Sequence, residues 1–309
     1  MNKHETQDLN SRLLDIYCGI LFNQPSFEEG EAVTLLYDFD CPEYSELKKR
    51  YPLKKTAGRG GDFEHALRLC RWLAPRLKHV SDFDNSVPCN SLALLDYCFE
   101  KPELGINCVN KAKILAECCL ALGIYARRVW MFPNSPYDMD NHVVTEIYDR
   151  WREKWIALDP STGGYFSKGE RPLSCLELRN SFAEHSPVSV VLNRQNPAKI
   201  SELCLRNIEL NSYYAKNSCY FAVETVSAFG KPDGYDAVYV VPKGLDVKRI
   251  RVQKAKYFLE VVRKGNYPES FVKMMEESYE YTLKEKPLRI TSAHVWDRPE
   301  SIQESKSVL

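Results

Sequence analysis

The sequence lacks an excess of charge of either sign, a long hydrophobic run and a hydrophobic leader. Lysine plus arginine and aspartate plus glutamate each number 42, so the formal net charge of the 309-residue chain is zero. No basic excess would attract nucleic acid or an anionic membrane, and no apolar run approaches the roughly 20 residues that span a bilayer. The first residues, MNKHETQDLN, are polar and show no signal-peptide pattern. We therefore expect a cytoplasmic protein with no nucleic-acid or membrane partner.

The sequence also lacks the short motifs of common metal, phosphate and serine-nucleophile sites. It contains no C-x-x-C, H-E-x-x-H, G-x-x-x-x-G-K-[ST] or G-x-S-x-G, and no acidic loop of the EF-hand type. The glycine-rich run Gly58–Gly61 follows no strand pattern, so we interpret it as a flexible loop. We predict a protein that uses no cofactor and no metal.

Cysteine, by contrast, is abundant. There are eleven cysteines, an odd number that a secreted protein would normally avoid. Free thiols in a reducing compartment are the simpler interpretation, and most free cysteines are small buried hydrophobic residues. The question is whether any one of them differs. They stand at positions 18, 41, 70, 89, 98, 108, 118, 119, 175, 204 and 219.

Hydrophobic periodicity divides the chain into three regions. Residues 1–54 are predicted to be a helical extension, 55–187 a core domain, and 188–309 a mixed strand and helix region that packs on the core. Within the core, helices come first and antiparallel strands follow, which indicates an α+β fold. The predicted core helices begin at Asp62, Ser91 and Cys108, and the predicted strands cover 124–132, 142–148 and 154–159.

The C-terminal region shows no chemistry that its sequence identifies. Its last residues, SIQESKSV, are predicted to fray. The predicted elements before them are four strands, VSVVLN (188–193), CYFAVETV (219–226), DAVYVVP (236–242) and RIRVQ (249–253), and a helix over about Glu269–Lys284.

Cys108 differs from the other cysteines because it begins a predicted helix. Asn107 is a good N-cap, and the helical pattern runs to Gly123, a residue typical of the position just past a helix C-terminus. Free amide groups and the helix dipole favour a thiolate at such a start. Cys118 and Cys119 lie near the other end of the helix, where the dipole disfavours one. Cys108 is therefore our candidate nucleophile, and it needs a base and a group that orients the base.

A predicted β-hairpin brings such a pair together. If the turn is a two-residue one at 150–151, or a four-residue one at 149–152, facing residues have numbers that sum to 301. His142 then lies opposite Asp159, and facing side chains of an antiparallel pair point to the same side of the sheet. A one-residue bulge would place them on opposite faces.

The runs GINCVNKAKILAECCLALGIYARRVW and NHVVTEIYDRWREKWIALDPSTGGYF resemble the core of the transglutaminase-like superfamily, whose members carry cysteine, histidine and aspartate in this order. The matching features are Gly-x-x-Cys at the helix start, Gly-Ile-x-Ala-Arg at 123–127, His142 with Glu146 four residues on, and Trp155 before Leu-Asp-Pro. The resemblance covers about a third of the chain closely and residues 60–185 more loosely.

This resemblance implies a papain-like α+β fold in which the nucleophile helix packs on an antiparallel sheet. It also implies that Cys108 is the nucleophile, His142 the general base and acid, and Asp159 the orienting group. The backbone N–H of Cys108 is one expected oxyanion donor, and Asn85 and Asn90 are candidates for a second.

The implied chemistry is attack of a thiolate on an acyl carbon, usually that of an amide, while the histidine protonates the leaving amine. Water or an amine then resolves the thioester, which gives hydrolysis or transamidation. The expected partner is a peptide or a small amide-containing substrate.

Three interpretations stay open at this stage. The first is a transglutaminase-like thiol enzyme, which we expect to be hydrolytic. The second is an arylamine acetyltransferase, although that family favours Arg-Gly-Gly-x-Cys and Asp-Val-Gly where this chain has GINC and LDPST. The third is a non-catalytic binding module on the same fold. Trp130, Trp151 and Trp155 are divided between core packing and cleft walls, and the loop 133–141 either borders the cleft or only connects two strands.

Overall fold

A central antiparallel sheet with helices on both faces forms the body of the protein. The computed structural model describes residues 3–192, 200–231, 236–284 and 288–299. The helices are α1 (Lys3–Phe22), α2 (Glu43–Arg50), α3 (Leu53–Ala57), α4 (Asp62–Leu73), α5 (Ser91–Glu100), α6 (Cys108–Leu120), α7 (Cys175–Ala183), α8 (Ile200–Lys216), α9 (Val247–Lys264) and α10 (Glu269–Lys284), with short 3-10 turns at Ala74–Arg76 and Ala293–Trp296. The strands are β1 (Leu36–Tyr37), β2 (Ala126–Phe132), β3 (His142–Asp149), β4 (Lys154–Asp159), β5 (Gly164–Lys168), β6 (Arg171–Pro172), β7 (Ser189–Val191), β8 (Tyr220–Glu224), β9 (Val226–Ser227) and β10 (Ala237–Val240).

The main sheet has eight strands in the order β10-β8-β2-β3-β4-β5-β6, with β7 also paired to β5. Strands β8 and β10 from the C-terminal region therefore continue the sheet past β2. A separate two-stranded parallel ladder joins β1 to β9. The α+β fold predicted from the sequence is confirmed, as are the three core strands β2, β3 and β4.

Alternation along the strands divides the core between the two faces of the sheet. Ile147, Ile156 and Leu158 pack with the helices α2 to α6. Val144 and Ala157, an odd number of residues away along the same strands, pack with residues of α1, α7 and α8 on the other face. The side chain of His142 shares the face of Val144 because the two are separated by an even number of residues.

Helix α6 begins and ends close to where its sequence predicts. The Asn107 side chain accepts a hydrogen bond from the Asn110 backbone N–H at 3.2 Å and so caps the helix. Gly123, which follows the end of the helix, has a φ of +75°, a conformation that glycine adopts without strain. The helix is fixed on β3 by the Thr145 hydroxyl, which donates to the Ala112 carbonyl at 3.0 Å. The first turn of α6 is therefore held in a fixed place relative to the strand.

The register of the β3–β4 hairpin differs from the predicted one. Ile147 faces Ile156 and Tyr148 faces Trp155, so facing residue numbers sum to 303 and the predicted sum of 301 is wrong by two. The chain turns through the four residues 150–153, where the Asp149 carboxylate accepts hydrogen bonds from the backbone N–H groups of Arg152 and Phe63. An offset of two preserves the face of every side chain. His142 and Asp159 therefore remain on the same side, offset along the strands.

Two parts of the C-terminal region also differ from expectation. The segment 249–253, predicted as a strand, lies inside α9, where Asp246 caps the helix and Val247, Leu259 and Val262 form its buried side. Helix α8 was not predicted at all. The strands predicted around 188–193, 219–226 and 236–242 are present in shortened form, the helix Glu269–Lys284 is confirmed, and the tail after residue 299 lies outside the described residues.

Candidate active site

A cleft of about 340 Å³ brings Cys108, His142 and Asp159 together. Each stands at the end of an element: Cys108 begins α6, His142 begins β3, and Asp159 ends β4. Element ends position side chains firmly while leaving one side open to a ligand. The thiol of Cys108 is half-buried, whereas His142 and Asp159 are only 5% and 1% exposed.

The imidazole of His142 is oriented by Asp159. Its Nε2 lies 2.9 Å from the Asp159 Oδ2 atom. The other carboxylate oxygen accepts a hydrogen bond from the backbone N–H of Ser161 at 2.8 Å, in the turn after Pro160 that the Asp-Pro pair initiates. Because Asp159 occupies Nε2, the other ring nitrogen, Nδ1, is the one that can face the thiol of Cys108.

The charges in the cleft favour a protonated histidine beside an ionised carboxylate. Burial alone lowers the pKa of His142, but the charge and hydrogen bond of Asp159, together with a hydrogen bond to Cys108, outweigh it and raise the pKa to about 10. Burial raises the pKa of Asp159, and here the imidazolium and the hydrogen bonds from His142 and Tyr214 prevail and lower it. Both directions describe one imidazolium–carboxylate pair.

Two adjacent tyrosines of α8 complete the arrangement, and the sequence did not indicate them. The Tyr214 hydroxyl donates to Asp159 Oδ2 at 2.5 Å, the same oxygen that pairs with His142. The Tyr213 hydroxyl lies 3.3 Å from His142 Nδ1. The two rings stand edge-on to the imidazole, with centroids 5.4 and 5.7 Å away.

The other described cysteines have a different environment. Seven of the ten are buried and all ten are free of disulfides. Burial raises the pKa of Cys18 and of Cys98 to about 11 and that of Cys219 to about 12. Cys41 and Cys89 are half-buried like Cys108; burial and a hydrogen bond to Asp38 raise the pKa of Cys41. These surroundings favour the neutral thiol.

The loop 133–141 borders the cleft, as one of the two interpretations of the sequence proposed. Met139, Asp140 and Asn141 line it. Two lysines of the C-terminal helices hold this loop: Lys216 lies 3.0 Å from the Asp138 carboxylate and 3.4 Å from that of Asp140, and Lys254 donates to the Asp140 carbonyl at 2.7 Å. The segment that leads into His142 is thus anchored to α8 and α9.

The tryptophans singled out by the sequence do not line the cleft. Trp155 is buried under the guanidinium of Arg127, 3.9 Å from its ring centroid. Trp151 is 81% exposed at the hairpin turn, and Trp130 packs against Arg128. Core packing and surface exposure, not substrate contact, account for all three.

The two candidate oxyanion asparagines also lie outside the cleft lining. Asn90 caps α5, with its side chain accepting from the Ala93 N–H at 2.9 Å. The Asn85 carbonyl oxygen accepts a hydrogen bond from the Asn107 amide at 3.3 Å. Both side chains are therefore engaged in holding helix starts. His79 is exposed and lines the cleft.

Neither a metal cluster nor a membrane-spanning helix is present among the described residues. No group of three or more histidine, cysteine, aspartate or glutamate side chains there is placed to hold a metal ion. Among the helices described, none combines the length and apolar character needed to cross a membrane.

Comparison with known proteins identifies a family for the segment that contains this site. Residues 49–160 match the family profile of the transglutaminase-like superfamily, and no curated protein and no solved structure matches the chain. The match ends one residue after Asp159, so it contains Cys108, His142 and Asp159. The protein therefore carries a transglutaminase-like superfamily domain, as the sequence motifs indicated, and this superfamily usually contains cysteine enzymes. Tyr213 and Tyr214 lie beyond the matched segment.

Proposed function

We propose that this protein is a thiol-dependent acyl-transfer enzyme that hydrolyses an amide bond in a peptide or small peptide-like substrate. In this proposal the core is papain-like, Cys108 is the nucleophile, His142 the general base and acid, and Asp159 the orienting group. The observation that carries it is the contact between His142 Nε2 and Asp159 at 2.9 Å in the cleft that Cys108 lines. A nucleophile, a base and an orienter in this order of contact define the general pattern of covalent acyl transfer.

In the acylation step, the thiolate of Cys108 attacks the carbonyl carbon of the amide. The backbone N–H of Cys108, at the open start of α6, is one donor to the oxyanion that forms. Nδ1 of the His142 imidazolium then gives its proton to the leaving amine, the carbon–nitrogen bond breaks, and a thioester remains on Cys108. His142 is now neutral and serves as the base for the next step.

In the deacylation step, water attacks the thioester and passes a proton to His142. The bond between carbon and sulfur breaks, and Cys108 leaves as a thiolate beside a restored imidazolium. Hydrolysis is favoured over transfer to an amine because the cleft is open to solvent at its rim, where His79 and the half-exposed Asp140 carboxylate lie. Water is the most abundant nucleophile at such an opening.

The same proposal places the protein in the cytoplasm. Support comes from the ten described cysteines, all of them free thiols. A reducing compartment maintains thiols in this state, and an enzyme that depends on a thiolate benefits from it.

Selective alkylation tests the proposed nucleophile. At about pH 6 an ordinary thiol is almost fully protonated, whereas a thiolate–imidazolium pair reacts. We expect iodoacetamide to modify Cys108 first, as located by peptide mass mapping, and the Cys108→Ala variant to lose this fast phase. The Cys41→Ala variant removes another half-buried thiol and should keep the fast phase unchanged.

Labelling spread evenly over several cysteines of the wild type would contradict an activated Cys108. Loss of the fast phase in Cys41→Ala would contradict it as well. Once the fast phase is established, release of amine from a mixture of amide substrates, measured with a reagent for primary amines, identifies the class that is hydrolysed.

A further inference from the structure

The hydroxyl of Tyr213 borders the place beside His142 where the chemistry requires the attacking water. It lies 3.3 Å from Nδ1, the nitrogen that exchanges protons with the leaving amine and with the attacking water. Its ring is part of the cleft lining. An atom at hydrogen-bond distance from Nδ1 and inside the cleft marks the position through which the incoming nucleophile must pass.

The Asp140 carboxylate also influences this hydroxyl. Burial, and after it the charge of Asp140 and its interaction with the phenol, raise the pKa of Tyr213, so the phenol stays neutral. Asp140 is in turn held by Lys216, 3.4 Å away, whose ammonium also lies 5.2 Å from the centroid of the Tyr213 ring. The neutral hydroxyl oxygen remains able to accept a hydrogen bond.

We propose that Tyr213 is a catalytic residue of deacylation, whose hydroxyl oxygen accepts a hydrogen bond from the water that attacks the thioester on Cys108. This assignment rests on the proposed thioester chemistry. One proton of the water passes to neutral His142 Nδ1, and the second stays on the water oxygen while it is hydrogen-bonded to the Tyr213 oxygen. The new carbon–oxygen bond forms as the carbon–sulfur bond breaks, Cys108 leaves as a thiolate, and the product is released as a carboxylic acid.

From its position, Tyr213 is expected to act in deacylation and not in acylation. In acylation the nucleophile is Cys108 itself and needs no second anchor. In deacylation the nucleophile is a small molecule that must be oriented between Nδ1 and the thioester carbon, and orientation of this kind accelerates a reaction strongly. Loss of the hydroxyl is therefore expected to slow the second half and to spare the first.

An ester probe measures the two halves separately in the full chain. p-Nitrophenyl acetate releases p-nitrophenol in a rapid burst when it acylates a thiol, and then in a steady state set by deacylation. Tyr213→Phe should keep a burst of about one equivalent, lower the steady-state rate about tenfold or more, and accumulate an acetylated form by intact mass. Tyr257→Phe removes a hydroxyl from the neighbouring helix α9 and should behave like the wild type.

The burst and the steady state together tell whether the assignment of Tyr213 fails alone or the proposed thioester chemistry fails with it. Absence of a Cys108-dependent burst in the wild type would overturn the thioester chemistry and this assignment with it. A normal burst with an unchanged steady state in Tyr213→Phe would overturn the assignment alone, as would an equal loss of both phases in a folded variant. If Tyr213→Phe does not fold, Asp140→Ala releases the same hydroxyl from an exposed loop, and it must show the same selective loss of the steady state.

Discussion

Replacement of Asp159 by asparagine gives the sharpest test of the charge arrangement in the cleft. Asparagine has the same shape and still offers an oxygen to His142, but it carries no charge. The charge of Asp159 is the largest influence that raises the pKa of His142, and burial is an even larger influence that lowers it. Without the carboxylate, burial prevails, and the pKa of His142 should fall below its ordinary value of 6.5.

The size of the change follows from these values. The interval between a pKa of about 10 and the ordinary 6.5 corresponds to about 5 kcal/mol of preference for the imidazolium, at about 1.4 kcal/mol for each pKa unit. At pH 7 the wild-type histidine is protonated and the variant's is mostly neutral. We expect turnover to fall by about 10³–10⁴, because the variant also loses control of which ring nitrogen carries the proton.

The same pair should make the free energy of unfolding depend on pH. A histidine whose pKa is raised by folding contributes stability that is complete below pH 6.5 and is lost as the pH rises through about 10. Asp159→Asn should therefore destabilise the protein strongly at about pH 6 and much less above pH 10. Denaturant unfolding at the two pH values measures the difference.

Two observables can refute this reasoning. The imidazole proton resonances of His142 should titrate near pH 10 in the wild type and below 6.5 in Asp159→Asn. The alkylation rate of Cys108 near pH 6 should fall in the same variant. Asp38→Asn, at the exposed carboxylate that pairs with Cys41, is the matched control and should change neither. A wild-type His142 that titrates near its ordinary pKa, or equal alkylation profiles in Asp159→Asn and the wild type, would show that Asp159 does not set the charge of His142.

Two further predictions concern the supports of the site and of the fold. Tyr214→Phe removes the donor at 2.5 Å from Asp159, so kcat should fall about fivefold to twentyfold while KM stays constant; an equal change in KM would indicate a substrate contact instead. Gly30→Ala should cost about 1–3 kcal/mol in urea unfolding, since Gly30 has a φ of +57° and a Cβ there would lie 2.2 Å from the Ile290 carbonyl oxygen. Gly169→Ala, at a φ of +61° with no atom within 4 Å, should cost clearly less.

The nucleophile helix and the hairpin could be predicted because their signals are local. The Asn107 cap, the helical pattern to Gly123 and the alternation in β3 and β4 are each contained in about fifteen residues of sequence. Even an error of two in the hairpin register left His142 and Asp159 on the same face, because side chains alternate with a period of two. An error of one would have separated them.

The parts that the sequence missed depend on contacts between distant segments. The alternation of Ile250 and Val252 favours a strand, yet the segment is helical because Asp246 caps it and Val247 and Leu259 are buried on one side. Tyr214 contacts Asp159, 55 residues away in the sequence, and neither the tyrosine nor the residues next to it in the sequence indicate that contact. For the segment at 249–253, the N-cap residue Asp246 was the local signal that could have indicated a helix.

The functional unit extends beyond the transglutaminase-like segment. The nucleophile helix α6 is tied to the C-terminal region by Glu117, which accepts from the Gly230 N–H at 2.9 Å, and by Lys113, which donates to the Ala228 carbonyl at 3.0 Å. Strand β8 covers the edge of β2, an edge that would otherwise expose unpaired backbone groups. The family segment contains Cys108, His142 and Asp159, whereas the C-terminal helices supply the tyrosines and lysines around them. Differences in substrate choice within this architecture are therefore expected to arise from α8 and α9 rather than from the triad.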